Sequence, residues 1–261
     1  MANILEKVRD IYMEGFGNFI DPRNEDSFLS TFTFYITFVV LYISTVKYIG
    51  PVFMNKRQPF NLRNILIVYN SIQIIVNLYV FYESFLLIKG SPSYICIQSG
   101  KPELFNSCKR HYLYLKMFDC TETVFFVLRK SYRQISFLHV YHHCIILYAA
   151  WCGYTYYWGD NVTIIPLLNS FVHSLMFVYY LLTSVNAKWK ENLRMKKTIT
   201  KIQIIQLITM CLHYAISISL TDCDGSVTVL PGLMWIFNNI IMVYLFLNFY
   251  KKTYLNNKKK E

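Results

Sequence analysis

Six stretches of this chain contain no Asp, Glu, Lys or Arg and are long enough to cross a bilayer: 29–46, 64–82, 134–159, 161–187, 202–221 and 225–250. Each reaches or approaches the ~20 helical residues that span ~30 Å of hydrocarbon. A soluble fold would seldom supply six such runs. Composition agrees, since 16 % of residues are charged, against roughly 25 % in soluble domains. The chain is expected to be an all-α, polytopic membrane protein. Its first residues, MANILEKVRDIYMEGFGNF, lack the apolar core of a cleavable signal peptide.

A seventh span is expected over 111–130, although Lys116, Asp119 and Glu122 sit in its middle. The reason is charge asymmetry. With seven spans, 18 of the 26 Lys and Arg fall on one face and seven on the other, Lys116 remaining inside. The basic face includes 129–133, 188–201 and the carboxyl-terminal tail. The positive-inside rule makes that face cytosolic and the amino terminus lumenal. The single domain then comprises a lumenal tail (1–27), a seven-helix membrane region (28–250) and a cytosolic basic tail (251–261). Cys96, Cys108 and Cys223 fall in lumenal loops, where a disulfide can form. Cys223 can take either partner. Asn161-Val162-Thr163 fits a glycosylation acceptor, and lies so near the membrane that it is expected to stay unmodified. Lys258-Lys259-Lys260-Glu261 fits both a dilysine retrieval signal and a basic tail drawn to anionic headgroups.

Polar side chains are costly in hydrocarbon and usually face an interior cavity. Here they recur at helical spacing. His139, His142 and His143 stand at i, i+3 and i+4, and Asn169 and His173 at i and i+4. Thr200, Gln203 and Gln206 repeat every three residues, and Lys116, Asp119 and Thr123 at three and four. His111 and His213 read as packing residues. The other four histidines point to a reactive pocket in which imidazole acts as base or nucleophile. Metal binding is the competing use, but one HxxHH box falls short of the several boxes of di-iron membrane oxidases. Cys144 adjoins the box, yet projects roughly 200° from His142 on a helix.

Five ordered motifs carry a resemblance. They are Gly50-Pro51-x-x-Met54-x-x-Arg57-x-Pro59-Phe60-x-Leu62 with Tyr69-Asn70; Phe125-Phe126-Val127-Leu128-Arg129-Lys130 followed by Gln134-x-Ser136-Phe137-Leu138-His139-x-x-His142-His143; Leu168-Asn169-Ser170-Phe171-Val172-His173-x-x-Met176-Phe177-x-Tyr179-Tyr180; Thr200-x-x-Gln203-x-x-Gln206; and Phe246-x-x-Phe249-Tyr250-x-x-x-Tyr254. From about residue 47 to 254 the chain resembles the very-long-chain fatty acid elongases, membrane 3-ketoacyl-CoA synthases. The family's KxxExxDT appears with its acids exchanged, as Lys116, Asp119, Glu122 and Thr123. A glycine-rich stretch before the second histidine motif is replaced by residues 160–165, and Ser131 stands where a second basic residue is usual.

The resemblance implies six helices around an acyl tunnel, the first span lying outside. It implies condensation of an acyl-CoA with malonyl-CoA, giving a 3-ketoacyl-CoA, CoA and carbon dioxide without a cofactor or metal. His142 is expected to accept the acyl group, His173 and Asn169 to serve the enolate, and His139 and His143 to orient their neighbours. CoA is expected at Arg129, Gln134, Lys196, Thr200, Gln203 and Lys251 or Lys252, with Lys116 deeper and Tyr179 lining the tunnel. Endoplasmic reticulum membrane lipid and the ketoacyl reductase, dehydratase and enoyl reductase of the cycle are the implied surroundings. No nucleic acid is expected, and a homo-oligomer is compatible. From the residues alone, a seven-helix lipid receptor or transporter and a metal-dependent lipid oxidase remain alternatives.

Overall fold

A computed structural model describes residues 21–24, 27–156, 159–220, 223 and 229–255, with the backbone alone at 229–231. Residues 1–20, which carry the stretch read for a signal peptide, the start of the run 225–250 and the terminal lysines lie outside the described residues. What is described is helical: α1 (Phe32–Met54), α2 (Arg63–Lys89), α3 (Pro102–Asp119), α4 (Thr121–Leu128), α5 (Phe137–Thr155), α6 (Ile164–Val185), α7 (Leu193–Ser219) and α8 (Val229–Tyr250). Among the described residues, five rods are long and apolar enough to cross a membrane, namely Phe32–Met54, Arg63–Lys89, Asp160–Val185, Leu193–Ser219 and Gly232–Leu255. The α3–α4 rod and α5 stay outside that set because they carry the charges and three of the histidines.

Helix starts follow local chemistry. The side chains of Thr31, Ser136 and Asn192 accept from the backbone N–H groups of Phe34, His139 and Met195, satisfying first-turn donors. Helices also run past the charge-free runs, since a rod need not end where hydrocarbon ends. Thus α7 begins at Leu193 and α2 continues to Lys89. The stretch 111–130 is not one helix. It breaks at Cys120, where the Thr121 hydroxyl donates to the Phe118 carbonyl at 2.8 Å and competes with the backbone ladder.

Packing closes a ring. Going round it, α2 neighbours α3, then α5, α8, α7, α6 and α2 again, with α2 against α6 the most extensive seam and α5 against α8 the thinnest. The first rod lies outside, on α5 and, through its last turns, on α4. Gly50 permits that approach: a Cβ there would lie 2.6 Å from the Val127 side chain.

One end of the ring is tied by a Cys96–Cys223 disulfide. Cys108 is therefore not its partner. It is buried in α3, with its sulfur 3.3 Å from the Ser84 hydroxyl. Asn161 also sits at this end, 1 % exposed; its carbonyl oxygen accepts from Ile97 N–H and its amide donates to the Ile95 carbonyl. A glycan has no access to such an amide. Asp21 also lies at this end, bonded to Arg23 and Lys109. Burial alone raises that carboxyl, but those hydrogen bonds and the Lys109 charge outweigh it and hold it well below the usual carboxylate range.

Candidate active site

Inside the ring, at the end opposite the disulfide, lies a cavity of about 730 Å³. Imidazoles from two helices meet there. The ring centres of His142 on α5 and His173 on α6 are 6.0 Å apart, and those of His139 and His143 are 4.4 Å apart. All four line the wall, with Asn169 and Glu122. The spacing read in sequence explains this, because i, i+3 and i+4 share a helix face, as do Asn169 and His173.

Beneath them is a buried polar network. Lys116 is fully buried, and its ammonium donates to Asp119 at 2.7 Å and to the Asn169 carbonyl oxygen at 2.8 Å. Tyr112 donates to the same Asn169 oxygen at 3.1 Å. Two donors on that oxygen fix the side-chain flip and leave the Asn169 amide N–H group as the donor offered to the cavity. The second Asp119 oxygen accepts from Gln73 at 2.9 Å, and Asn77 holds Gln73 in turn. His173 Nδ1 stands 3.6 Å from Asp119, too long for a hydrogen bond. Thr123 bridges His139 Nε2 at 2.8 Å and the Tyr42 hydroxyl at 2.9 Å. Through that bridge the outer rod steadies the box.

The network takes up Asp119 and, through Thr123, Nε2 of His139, but it leaves other imidazole nitrogens unbonded. Nδ1 of His143 and Nδ1 of His173 are buried without a hydrogen-bond partner. Orphan polar atoms are expensive in a low-dielectric interior. They have value where an arriving reactant supplies the missing contact. Ligand atoms of Glu122, His139 and His143 also lie within 4.8 Å of one another, a spacing that one metal ion can bridge.

Of the expected CoA contacts, Gln134, Lys196, Thr200, Gln203 and Lys252 line this cavity, as does Tyr179, expected in the tunnel wall. Lys116, Arg129 and Lys251 do not. Lys116 is turned into Asp119 and Asn169, Arg129 caps the end of α4, and Lys251 is exposed beside the lining Lys252. Sequence reasoning missed Gln73, Asn77, Tyr112 and Arg133. Tyr69, Gln73 and Asn77 recur at i, i+4 and i+8 within an apolar run, a signal that could have found the network. Arg133, Lys196 and Lys252 give the chamber three cations, on the α4–α5 connection, α7 and the turn after α8.

Comparisons with known proteins point one way. The family model described as ELO: GNS1/SUR4 family matches residues 27–261. A very long chain fatty acid elongase of Aedes aegypti is 33 % identical over 272 residues, covering 100 % of this chain and 74 % of that one. Human very long chain fatty acid elongase 4 is 34 % identical, covering 88 % of this chain and 72 % of its own length. Mouse very long chain fatty acid elongase 1 is 31 % identical, with 98 % and 93 % covered. A match over nearly the whole length, with the histidine motifs meeting in one chamber, settles kinship: the chain belongs to the GNS1/SUR4 (ELO) family.

Proposed function

We propose that the protein is the condensing enzyme of fatty acid elongation, an acyltransferase that joins an acyl-CoA to malonyl-CoA. The observation that carries this reading is the convergence of His142 and His173 in a chamber that also holds Arg133, Lys196 and Lys252. A CoA phosphate chain needs cations, and an acyl thioester needs a nucleophile close by.

His142 attacks the thioester carbon; its ring N–H proton goes to the departing CoA sulfur, giving an acyl-imidazole and free CoA. Malonyl-CoA then loses carbon dioxide, and the electron pair of the broken bond forms an enolate. Its α-carbon attacks the acyl carbon, the imidazole leaves, and a proton restores His142. The Asn169 amide donates to the enolate oxygen and His173 stands beside it, donors set in place before charge develops. Thr123 holds His139, and His139 packs edge-on against His143, which fixes the box.

The protein is a multi-pass membrane protein. We place it in the endoplasmic reticulum with seven spans, the disulfide end lumenal and the histidine chamber opening to the cytosol. The disulfide favours the oxidising side, and the basic chamber residues favour the other. Its products are 3-ketoacyl thioesters, which suit a ketoreductase, a dehydratase and an enoyl reductase acting next.

The Glu122–His139–His143 triad supports a second reading, a metal-dependent lipid oxidase. Incubation of purified protein with acyl-CoA alone, then with malonyl-CoA, separates the two. Condensation predicts stoichiometric CoA release with an acyl mass on His142 in the first step, a product two carbons longer in the second, and no loss on chelation. Absence of any lengthened product, or its abolition by a chelator, removes the condensation reading as drawn.

A further inference from the structure

Two carboxylates of the α3–α4 rod line the histidine chamber, and only one of them is matched. Asp119 has the Lys116 ammonium at 2.7 Å and the Gln73 amide at 2.9 Å. Glu122 is 8 % exposed and, among the described residues, has neither an ion-pair partner nor a side-chain hydrogen bond. Arg133, Lys196 and Lys252 line the same cavity without pairing with it. A buried carboxylate left alone is costly and calls for a cation. This chain also departs from the pattern it resembles at that place, carrying the longer glutamate where aspartate is usual. The Glu122 oxygen comes within 4.8 Å of a ligand nitrogen on each of His139 and His143.

Those two imidazoles are four residues apart on α5, the spacing by which one helix face presents a pair of histidines to zinc. His143 Nδ1 is buried with no partner. Thr123 bonds His139 at Nε2, and outer-shell bonds of this kind fix the rings of metal-ligating imidazoles. Two histidines and one glutamate make a recognised three-ligand zinc set, with the fourth place open to water. A tetrahedral zinc holds its ligand atoms about 3.4 Å apart, so closure by on the order of 1 Å, within reach of side-chain rotation, completes the shell. Magnesium and calcium want six or more oxygen ligands and are poorly served here. We propose that Glu122, His139 and His143 form a binding site for a zinc-type divalent cation, and that filling it arrests the enzyme rather than serving it. The ring centres of His142 and His143 are 5.8 Å apart. An ion held on His143 therefore sets two positive charges beside an imidazole that must itself gain positive charge as it attacks a thioester. The ion also occupies the two rings that orient His142. The site follows from the triad alone, whereas the arrest rests on the condensation reading above.

The test uses tag-free, full-length protein stripped by a chelator. Zinc binding is measured by calorimetry, cobalt substitution is followed through its visible absorption, and elongation rates are taken with free zinc set by a metal buffer. The expected result is one zinc per chain, no competition from magnesium, and a fall in elongation of tenfold or more on saturation that a chelator reverses. Glu122→Gln removes the charge at constant size and Glu122→Asp shortens the arm; each should weaken zinc at least tenfold, and so should His143→Gln. His173→Gln, in the same chamber but outside the triad, should leave zinc affinity within about threefold. Absence of stoichiometric zinc binding, affinity indifferent to Glu122→Gln, or equal loss from His173→Gln overturns the site. Zinc that binds through the triad without slowing elongation overturns the arrest. A protein that binds zinc in this way but lengthens no primer removes the condensation reading, and the arrest with it, while the site stands.

Discussion

Two buried aspartate–lysine pairs sit at different levels of the same helical ring, and they are used differently. Asp21 and Lys109, 2.8 Å apart, close the disulfide end; Arg23 takes up the rest of the carboxylate and itself donates to the Pro102 carbonyl. Asp119 and Lys116, 2.7 Å apart, lie under the imidazoles, and their remaining bonds go to Gln73 and Asn169, the latter a residue of the chamber wall. The first pair ties chain segments together. The second orients an amide towards a cavity. Burying an ion pair is seldom a net gain in stability, yet removing one partner is severe. The lesson is that the pairs differ in what their third partner touches.

The largest effect is expected where the comparison is sharpest, at the imidazole above the second pair. His142→Ala should lower condensation roughly 10⁴-fold, the scale expected for loss of a covalent nucleophile, with the thermal transition little changed. Rates of 3-ketoacyl-CoA formation by mass spectrometry measure it. A loss below about tenfold in folded protein assigns the nucleophile elsewhere.

Next come the pairs themselves. Lys116→Met leaves Asp119 as a buried, uncompensated carboxylate and should cost about 3–5 kcal/mol of stability. It should also abolish turnover, because Asn169 loses a donor that orients it. Asp21→Asn should cost about 3 kcal/mol by the same principle, while leaving the rate constant for turnover within about threefold at temperatures where the variant is folded. Equal damage to turnover from both would erase the distinction. The pH dependence sharpens it. The Asp21 carboxyl is held low in the folded protein, so its stabilising contribution is complete above the unfolded value of about 4 and is lost as pH falls through that value towards the depressed one. The gap in melting temperature between the unsubstituted protein and Asp21→Asn should be full at neutral pH and shrink below about pH 4. A gap that widens on acidification contradicts the assignment.

How much of this was legible in the sequence follows the same division. The long rods were, because hydrocarbon imposes length and apolarity on each stretch by itself. The histidine face was, because His139, His142, His143, Asn169 and His173 declare themselves by local helical spacing. The network beneath them was only half legible. Gln73 reaches Asp119 across 46 residues of sequence, and Tyr42 meets Thr123 across 81; no local period encodes such partnerships. The choice of Cys96 for Cys223 was likewise set by the approach of two loops. Lys116 illustrates the reverse error. A lysine in a span suggests a ligand, but side chains from its own turn and from α6 satisfied it first.

The smallest effect tests the basic residues of the chamber, and two adjacent lysines make it decisive. Lys252 lines the histidine cavity and Lys251 does not, although each carries the same charge on the same turn. If the cations act only through net positive charge near a membrane surface, Lys251→Ala and Lys252→Ala should be alike. If Lys252 contacts a CoA phosphate, its loss should raise KM for malonyl-CoA about three- to tenfold with kcat held, the signature of binding energy shared by ground and transition states. Lys196→Ala should behave as Lys252→Ala does. These contacts are partly solvated, so the difference should shrink as ionic strength rises and the Debye length falls from about 10 Å at 0.1 M towards 3 Å at 1 M. A matched pair of KM values at low salt places the phosphates away from this wall, and leaves the imidazoles without the neighbouring anchor that the condensation mechanism requires.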